Sequence, residues 1–295
     1  MAKKSKAYYP VQRSIRLKDK TAAVAGGRFF QSTRLLSETN RRLYRQSYVY
    51  NLKVDAEIGS QIALAGVDIY VLRNTWDLHG AYKYAMETYY NAMKEELQDG
   101  GAKTRWHDFR VQPNFQADEL EMTANNPHAS LPSMDETGPG TSDHVYSSVA
   151  DAAGTVRFFG LDNATTGTVW SILEEWQNKD RVDPDPAGAS PTMSYNSMVE
   201  DRDEANYDLL RINGESPPYR VDADNSLWTK VGTIKDSGAT GAGMKLTSGY
   251  FEAPLGLVVL TSPGFSTTLS VHGLHVTFQA GDYQGVKANR YATPV

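Results

Sequence analysis

Alternating apolar and polar positions predict a chain built mainly from β-strands. Between Tyr48 and Asp55 every second residue is apolar, which is the pattern of a strand with one buried face. Residues 62–72 are rich in apolar and β-branched side chains, which is typical of a second strand. Similar signals recur along the chain, and the predicted strands cover residues 48–55, 62–72, 106–111, 155–161, 228–234, 244–253, 255–260 and 269–278.

Three segments carry a helical pattern instead. In residues 75–98, apolar side chains recur every three or four positions, which predicts a long amphipathic helix. Shorter patterns of the same kind predict helices at 168–178 and 200–212, and residues 113–154 are predicted to form a long loop. The predicted buried stripe of the long helix consists of Tyr84, Ala85, Tyr89 and Ala92.

The order of these elements favours an antiparallel sandwich over a doubly wound sheet. Strands dominate both ends of the chain, and no regular alternation of strand and helix runs through it. The predicted fold is therefore mainly β, an eight-stranded antiparallel sandwich with helices inserted between some of its strands.

Composition then excludes several classes of protein. The chain has 295 residues, enough to bury a full core without disulfides. It contains no cysteine, which excludes thiolate nucleophiles and cysteine-ligated zinc and suits assembly in a reducing compartment. No apolar run is long enough to predict a transmembrane helix, and the first residues lack the apolar core of a secretory signal.

Charge divides the chain into a basic arm and an acidic body. Residues 1–50 hold twelve Lys and Arg against two acidic residues, a formal charge of +10. The whole chain carries −5, so the remaining 245 residues carry −15. Such an asymmetry is typical of a tail that contacts nucleic acid, although a solvated basic surface or a targeting peptide would look similar.

We predict that residues 1–45 form the basic N-terminal arm and residues 46–295 the folded domain. Aromatic pairs such as Tyr8-Tyr9 and Phe29-Phe30 interrupt the charges and could stack on bases or dock on the protein. Cations of this kind contact phosphate without sequence specificity. The predicted nucleic-acid-binding residues are Lys3, Lys4, Lys6, Arg13, Arg16, Lys18, Lys20, Arg28, Arg34, Arg41, Arg42 and Arg45.

Candidate chemistry is sparse. No combination of acid, base and nucleophile is evident, so we expect no enzymatic activity and no cofactor. Seven carboxylates within residues 180–204 form the one candidate metal site, in which Asp183 and Asp185 would bind Ca²⁺ at contacts between subunits. The alternative is that these acidic loops are simply solvated.

The order of elements resembles that of coat proteins from small icosahedral viruses. The segments that carry the likeness are the basic lead-in at 40–47, the strand run at 251–259 and the closing segment at 279–288. They are similar to capsid proteins of single-stranded DNA viruses and tailless phages. The resemblance implies an eight-stranded jelly roll with the arm on the inside of the shell, or, as an alternative, a double jelly roll.

What the resemblance implies for function is structural. The chain would be a major capsid protein whose copies self-assemble into an icosahedral shell, located in the virion and assembled in the host cytoplasm or nucleus. Its partners would be other copies of itself, the genomic nucleic acid and minor capsid proteins. The alternative function is a β-sandwich binding module, such as a phage tail or fibre protein or a carbohydrate-binding protein.

Overall fold

The structure is a computed structural model, and it describes twelve stretches of the chain. These are residues 10–18, 28–58, 67–100, 106–113, 120–121, 123–124, 146–150, 154–161, 169–179, 227–234, 244–261 and 271–292.

Strands dominate the described residues, which confirms the mainly β prediction. The helices are α1 (Ser32–Asn40), α2 (Trp76–Gly100) and α3 (Ile172–Lys179). The strands are β1 (Ser14–Lys18), β2 (Arg28–Gln31), β3 (Tyr48–Ile58), β4 (Val67–Leu72), β5 (Leu120–Glu121), β6 (Thr123–Ala124), β7 (Ser148–Ala150), β8 (Val156–Gly160), β9 (Val169–Ser171), β10 (Trp228–Ile234), β11 (Met244–Thr247), β12 (Phe251–Pro254), β13 (Leu257–Thr261), β14 (Val271–Phe278) and β15 (Ala288–Arg290).

Two sheets pack face to face and form a sandwich. The seven-stranded sheet has the order β11-β3-β14-β1-β6, with β12 and β15 also paired to β3. The five-stranded sheet has the order β10-β4-β13-β2-β5. Leu52 and Val276 from the first sheet join Ile69 and Val258 from the second in one buried apolar cluster. Pairing is antiparallel throughout both sheets except between β2 and β5.

Strands that are neighbours in sequence occupy equivalent positions in the two sheets. From one edge to the other, the pairs are β11 with β10, β3 with β4, β14 with β13, β1 with β2, and β6 with β5. Each of these five pairs therefore contributes one strand to each sheet.

β3 pairs with four other strands of the larger sheet, and its sequence explains how its two faces are used. Tyr50, Leu52 and Val54 alternate towards the core and are fully buried, while Asn51 and Lys53 are half-buried on the other face. β11 and β12 run along one edge of β3, and β14 and β15 run along the other. β3 is long enough to pair with two strands along each of its edges.

A second buried cluster lies beneath α2. The helix packs against α3, and the small sheet β7-β8-β9 adds Phe159 to the buried residues of this region. The rings of Phe109 and Phe159 meet edge to face at 5.3 Å, and Tyr82 meets Phe109 in the same way. The cluster includes Leu78, Ala81, Tyr82, Ala85, Met86, Phe109, Val111, Phe159, Leu161, Ile172, Leu173, Leu255, Leu257, Tyr291 and Ala292.

The helix predicted at 75–98 is confirmed as α2, and its predicted buried stripe is correct in part. Ala85 is buried and Tyr89 is half-buried against the second cluster, whereas Tyr84 and Ala92 are half-buried and are not part of that cluster. Tyr82 and Met86 are buried as well, because together with Ala85 they form the face of α2 that packs into the second cluster.

Three other local predictions were wrong in detail. Residues 106–111 form no strand, and residues 169–171 are strand β9 rather than the first turn of a helix. The predicted strand 244–253 is divided at Ser248, whose hydroxyl accepts the Val54 N–H at 2.9 Å in place of a backbone carbonyl. The predicted helix at 200–212 lies outside the described residues.

No helix among the described residues is both long and apolar enough to cross a membrane.

Candidate nucleic-acid interface

The described part of the predicted basic arm belongs to the sandwich. β1 pairs with β14 and β2 pairs with β13, so residues 14–18 and 28–31 extend the two sheets. Ile15 and Leu17 are buried in the core, as are Phe30 and the two leucines of α1. The described residues before position 45 therefore belong to the same packed core as the strands that follow it.

The end of α1 is joined to the segment before β1. The Asn40 side chain accepts the backbone N–H of Gln12 at 2.9 Å and donates to the Gln12 carbonyl at 3.1 Å. Arg41 then closes the helix in the left-handed conformation, with a φ of 50°. Arg41 and Arg42 consequently lie beside residues 12 and 13.

A tight turn near the C-terminus fills the space between these two segments. Tyr283 and Val286 pair through their backbones, with Gly285 at a φ of +93°. A Cβ on Gly285 would lie 2.7 Å from Val11, so only glycine fits this approach. The Arg13 guanidinium donates to the Gly285 carbonyl at 3.5 Å, and the Tyr44 hydroxyl donates to the Gln284 carbonyl at 3.0 Å.

Three tyrosines pack around Tyr283 of this turn. The rings of Tyr48 and Tyr283 stack at 3.8 Å with an angle of 20° between their planes. Tyr44 and Tyr50 meet the Tyr283 ring edge to face at 6.0 and 6.3 Å. The backbone of Arg45 ties the group together, because its N–H donates to the Tyr283 hydroxyl and its carbonyl accepts the Tyr50 hydroxyl at 2.6 Å.

Burial makes three of these phenols harder to ionise. It raises the pKa of Tyr50 well above its ordinary value and raises the pKa of Tyr283 and Tyr44 in the same direction. For Tyr44 the nearby Arg42 guanidinium partly opposes this rise in pKa. Tyr44 and Tyr50 thus donate hydrogen bonds to backbone carbonyls, whereas Tyr283 accepts one from the Arg45 N–H.

We call this region the basic end. Arg41, Arg45, Lys287 and Arg290 are exposed, and Arg13 and Arg42 are half-buried. Arg290 lies directly opposite Tyr48 in the pairing of β15 with β3. Among the described residues of the turn, Asp282 is the exposed carboxylate that opposes these cations. The basic end comprises Arg13, Arg41, Arg42, Arg45, Lys287 and Arg290.

A buried carboxylate lies behind the basic end. Asp108 is 7% exposed and accepts the Gln46 N–H at 3.1 Å. Arg45 and Arg110 approach its carboxylate oxygens only to 3.9 and 3.8 Å. Because desolvation outweighs these contacts, burial raises the pKa of Asp108 to about 6. Arg45 therefore has a titratable partner on its inner side.

The structure brings together four of the predicted nucleic-acid contacts and separates others. Arg13, Arg41, Arg42 and Arg45 belong to the basic end, whereas Arg34 is buried on α1 and paired with Glu38 at 2.8 Å. Arg16 is exposed on the outer face of the larger sheet, opposite His275. Lys18 and Arg28 fall in β1 and β2. The predicted residues outside the described part of the chain are Lys3, Lys4, Lys6, Lys20, Asp183 and Asp185.

Sequence reasoning missed Lys287, Arg290 and Tyr283 as members of this site. The available signal was the turn-forming run from Gly281 to Gly285, which lies in a segment used only for its resemblance to coat proteins. Nothing in the linear sequence indicates that this run lies against residues more than 200 positions earlier.

Within the part of the chain that the structure describes, no three His, Asp or Glu side chains converge as a metal site would require. Comparison of the chain with protein-family models, curated proteins and solved structures gives no match. Any assignment of function therefore depends on the fold and on the basic end.

Proposed function

We propose that the protein is a viral capsid subunit that self-assembles into an icosahedral shell around nucleic acid, a structural role rather than an enzymatic one. The genome type that the sequence resemblance favours is single-stranded DNA. The protein would then be found in the virion, with copies of itself, the genome and minor capsid proteins as partners. The single observation that carries the proposal is the matched strand order of the two sheets.

That order supports an eight-stranded jelly roll. In a jelly roll, antiparallel ribbons fold over so that each pair of consecutive strands gives one strand to each sheet. Here β3-β4 pairs with β14-β13 as one ribbon, and β1-β2 pairs with β6-β5 as another. The two ribbons join where β14 meets β1 and β13 meets β2. β10 and β11 extend the edge beyond these eight strands.

Two features differ from a simple rolled ribbon. The pair β1-β2 precedes the outer ribbon in sequence, and β2 runs parallel to β5. An N-terminal strand therefore lies inside each sheet, with β1 beside β14 and β2 beside β13. A double jelly roll would need a second sandwich of this size, so the single roll is the better proposal for the described residues.

The basic end supports the nucleic-acid part of the proposal. The six cations of the basic end lie on segments that meet around the turn at 283–286, in a protein whose formal charge is −5. Such a local field attracts phosphate despite the overall negative charge. We propose that this end faces the packaged genome.

A second candidate function is a β-sandwich binding module. Trp76 and Trp106 are 57% and 55% exposed, and Trp76 meets Trp176 edge to face at 5.4 Å. Exposed indoles of this kind are typical of surfaces that contact a ligand or partner, and jelly rolls also occur in lectins.

Negative-stain microscopy and size-exclusion chromatography of the purified full chain separate the two functions. The capsid proposal expects uniform hollow particles that co-purify with nucleic acid. Monomers or trimers that bind immobilised glycans, without particles at any ionic strength, would refute it and favour the binding module.

We further propose that Asp183 and Asp185 hold Ca²⁺ between subunits, which makes particles sensitive to chelation. Carboxylates from neighbouring acidic loops would repel unless a cation lay between them. EDTA near neutral pH should then swell or dissociate particles, as measured by light scattering, and Ca²⁺ should reverse the change. Particles that are indifferent to EDTA would leave these residues as surface charge.

A further inference from the structure

We propose that the basic end binds single-stranded rather than double-stranded nucleic acid, with phosphates against its cations and one base stacked on the ring of Tyr48. This inference rests on the proposed function for the source of the strand. The site itself is argued from the contacts of the turn at 283–286.

The cations of the basic end are available to a ligand. Within the described residues, no ion pair involves Arg41, Lys287 or Arg290, and all three are exposed. Arg45 keeps a 44% exposed side chain even though it approaches Asp108. These side chains come from residues 41–45 and residues 287–290, so a bound strand would touch two segments that meet only in the folded chain.

Tyr48 provides an aromatic ring next to one of these cations, Arg290. Stacking on Tyr283 at 3.8 Å occupies one face of the Tyr48 ring, and the side chain also packs against the apolar core while the residue remains partly exposed. Tyr283 is itself fixed by its hydrogen bond from Arg45 and by the backbone pairing of its turn. Arg290 lies directly across the strand pair from Tyr48, so a cation lies next to the ring. A fixed ring beside a cation is the arrangement that stacks a base and pairs the adjacent phosphate.

The geometry favours a single strand for a steric reason. The bases of a duplex are stacked on each other and present only their edges in the grooves, so a short ring near a turn cannot reach a base face. An unpaired base can leave its neighbours and lie on an aromatic ring at little cost. Cations alone would bind both forms through phosphate. The ring therefore provides the discrimination.

Fluorescence anisotropy of the full-length protein with labelled oligothymidylate and with a duplex of equal length tests the proposal. We expect tighter binding of the single strand. Tyr48→Leu should weaken single-strand binding at least about fivefold and leave duplex binding unchanged, whereas Tyr48→Phe, which keeps the ring, should retain the preference. Circular dichroism of each variant checks that it is folded.

Charge variants test the phosphate contacts separately. Lys287→Ala should weaken binding to both forms and reduce the slope of log K against log salt by about 0.7 for the single strand. Lys83→Ala is the matched control, because Lys83 lies on the exposed face of α2 and makes only a 3.7 Å pair with Glu87. Its binding and salt slope should equal those of the wild type.

Equal affinity for single strand and duplex would overturn the inference, as would a preference that survives Tyr48→Leu. Electron microscopy of the same preparations distinguishes this failure from failure of the proposed function. Particles without strand preference would refute the site alone, and strand preference without particles would refute the capsid proposal alone.

Discussion

The buried carboxylate of Asp108 gives the sharpest prediction of pH dependence. Burial raises its pKa from 3.8 to about 6, even though two guanidinium groups lie within 4 Å of it. Between these two pH values the folded state keeps a proton that the unfolded state releases, so stability falls as pH rises. The full difference corresponds to about 3 kcal/mol of folding free energy at neutral pH.

Asp108→Asn removes this titration and keeps a carbonyl oxygen that can accept the Gln46 N–H. Urea unfolding followed by circular dichroism should be measured for both proteins at pH 4.5 and pH 7. From pH 4.5 to pH 7, the free energy of unfolding of the wild type should fall by about 2 kcal/mol relative to that of the variant, because only the wild type carries the cost of a buried charge at pH 7. Its stability profile should be flatter than that of the wild type across this range.

Asp68 provides a matched control of opposite sign. The Lys230 ammonium, 2.8 Å away, and the Thr233 hydroxyl hold the pKa of Asp68 below its usual value. Its contribution to stability is therefore present above pH 3.8 and lost as the pH falls. Asp68→Asn should leave the slope between pH 4.5 and 7 unchanged. Parallel profiles for the wild type and Asp108→Asn would refute the reasoning about Asp108.

Three further predictions concern the fold. Gly285→Ala should destabilise the protein by about 1–3 kcal/mol in urea unfolding, and more than Gly249→Ala, because both glycines have positive φ but only Gly285 lacks room for a Cβ. Ala85→Asp should prevent folding, as judged by circular dichroism and solubility, because it buries an unpaired charge, whereas Lys94→Asp on the exposed face should fold normally. Deletion of residues 1–45 should abolish the cooperative thermal transition, because it removes β1, β2 and α1; a deletion variant with a wild-type melting temperature would show that these elements contribute little.

The long periodic elements could be predicted from the sequence because their own side chains determine them. β3 and α2 have apolar residues at periods of two and of three to four, and both occur where expected. β1 carries the same signal, since Ile15 and Leu17 alternate with polar residues, but the density of positive charge around it suggested an arm instead.

Other elements depend on partners that are distant in sequence. Residues 106–111 look like a strand, yet the Gln46 side chain pairs with both the N–H and the carbonyl of Val111, at 2.6 and 3.2 Å. A side-chain amide thus takes the place that a neighbouring strand would occupy. The basic end also depends on distant partners, because its turn contacts Val11 and Arg13, which lie near the other end of the sequence.

The dual role of the N-terminal segments determines how the nucleic-acid proposal should be examined. Ile15 and Leu17 contribute to the core, while Arg13 on the same segment contacts the turn of the basic end. A truncation would remove packing and positive charge together, so loss of nucleic acid after truncation would not identify the cause. Substitution of exposed cations such as Arg41 and Lys287 changes the charge and leaves the buried alternation of β1 intact. Only substitutions of that kind connect the nucleic-acid content of particles to the basic end.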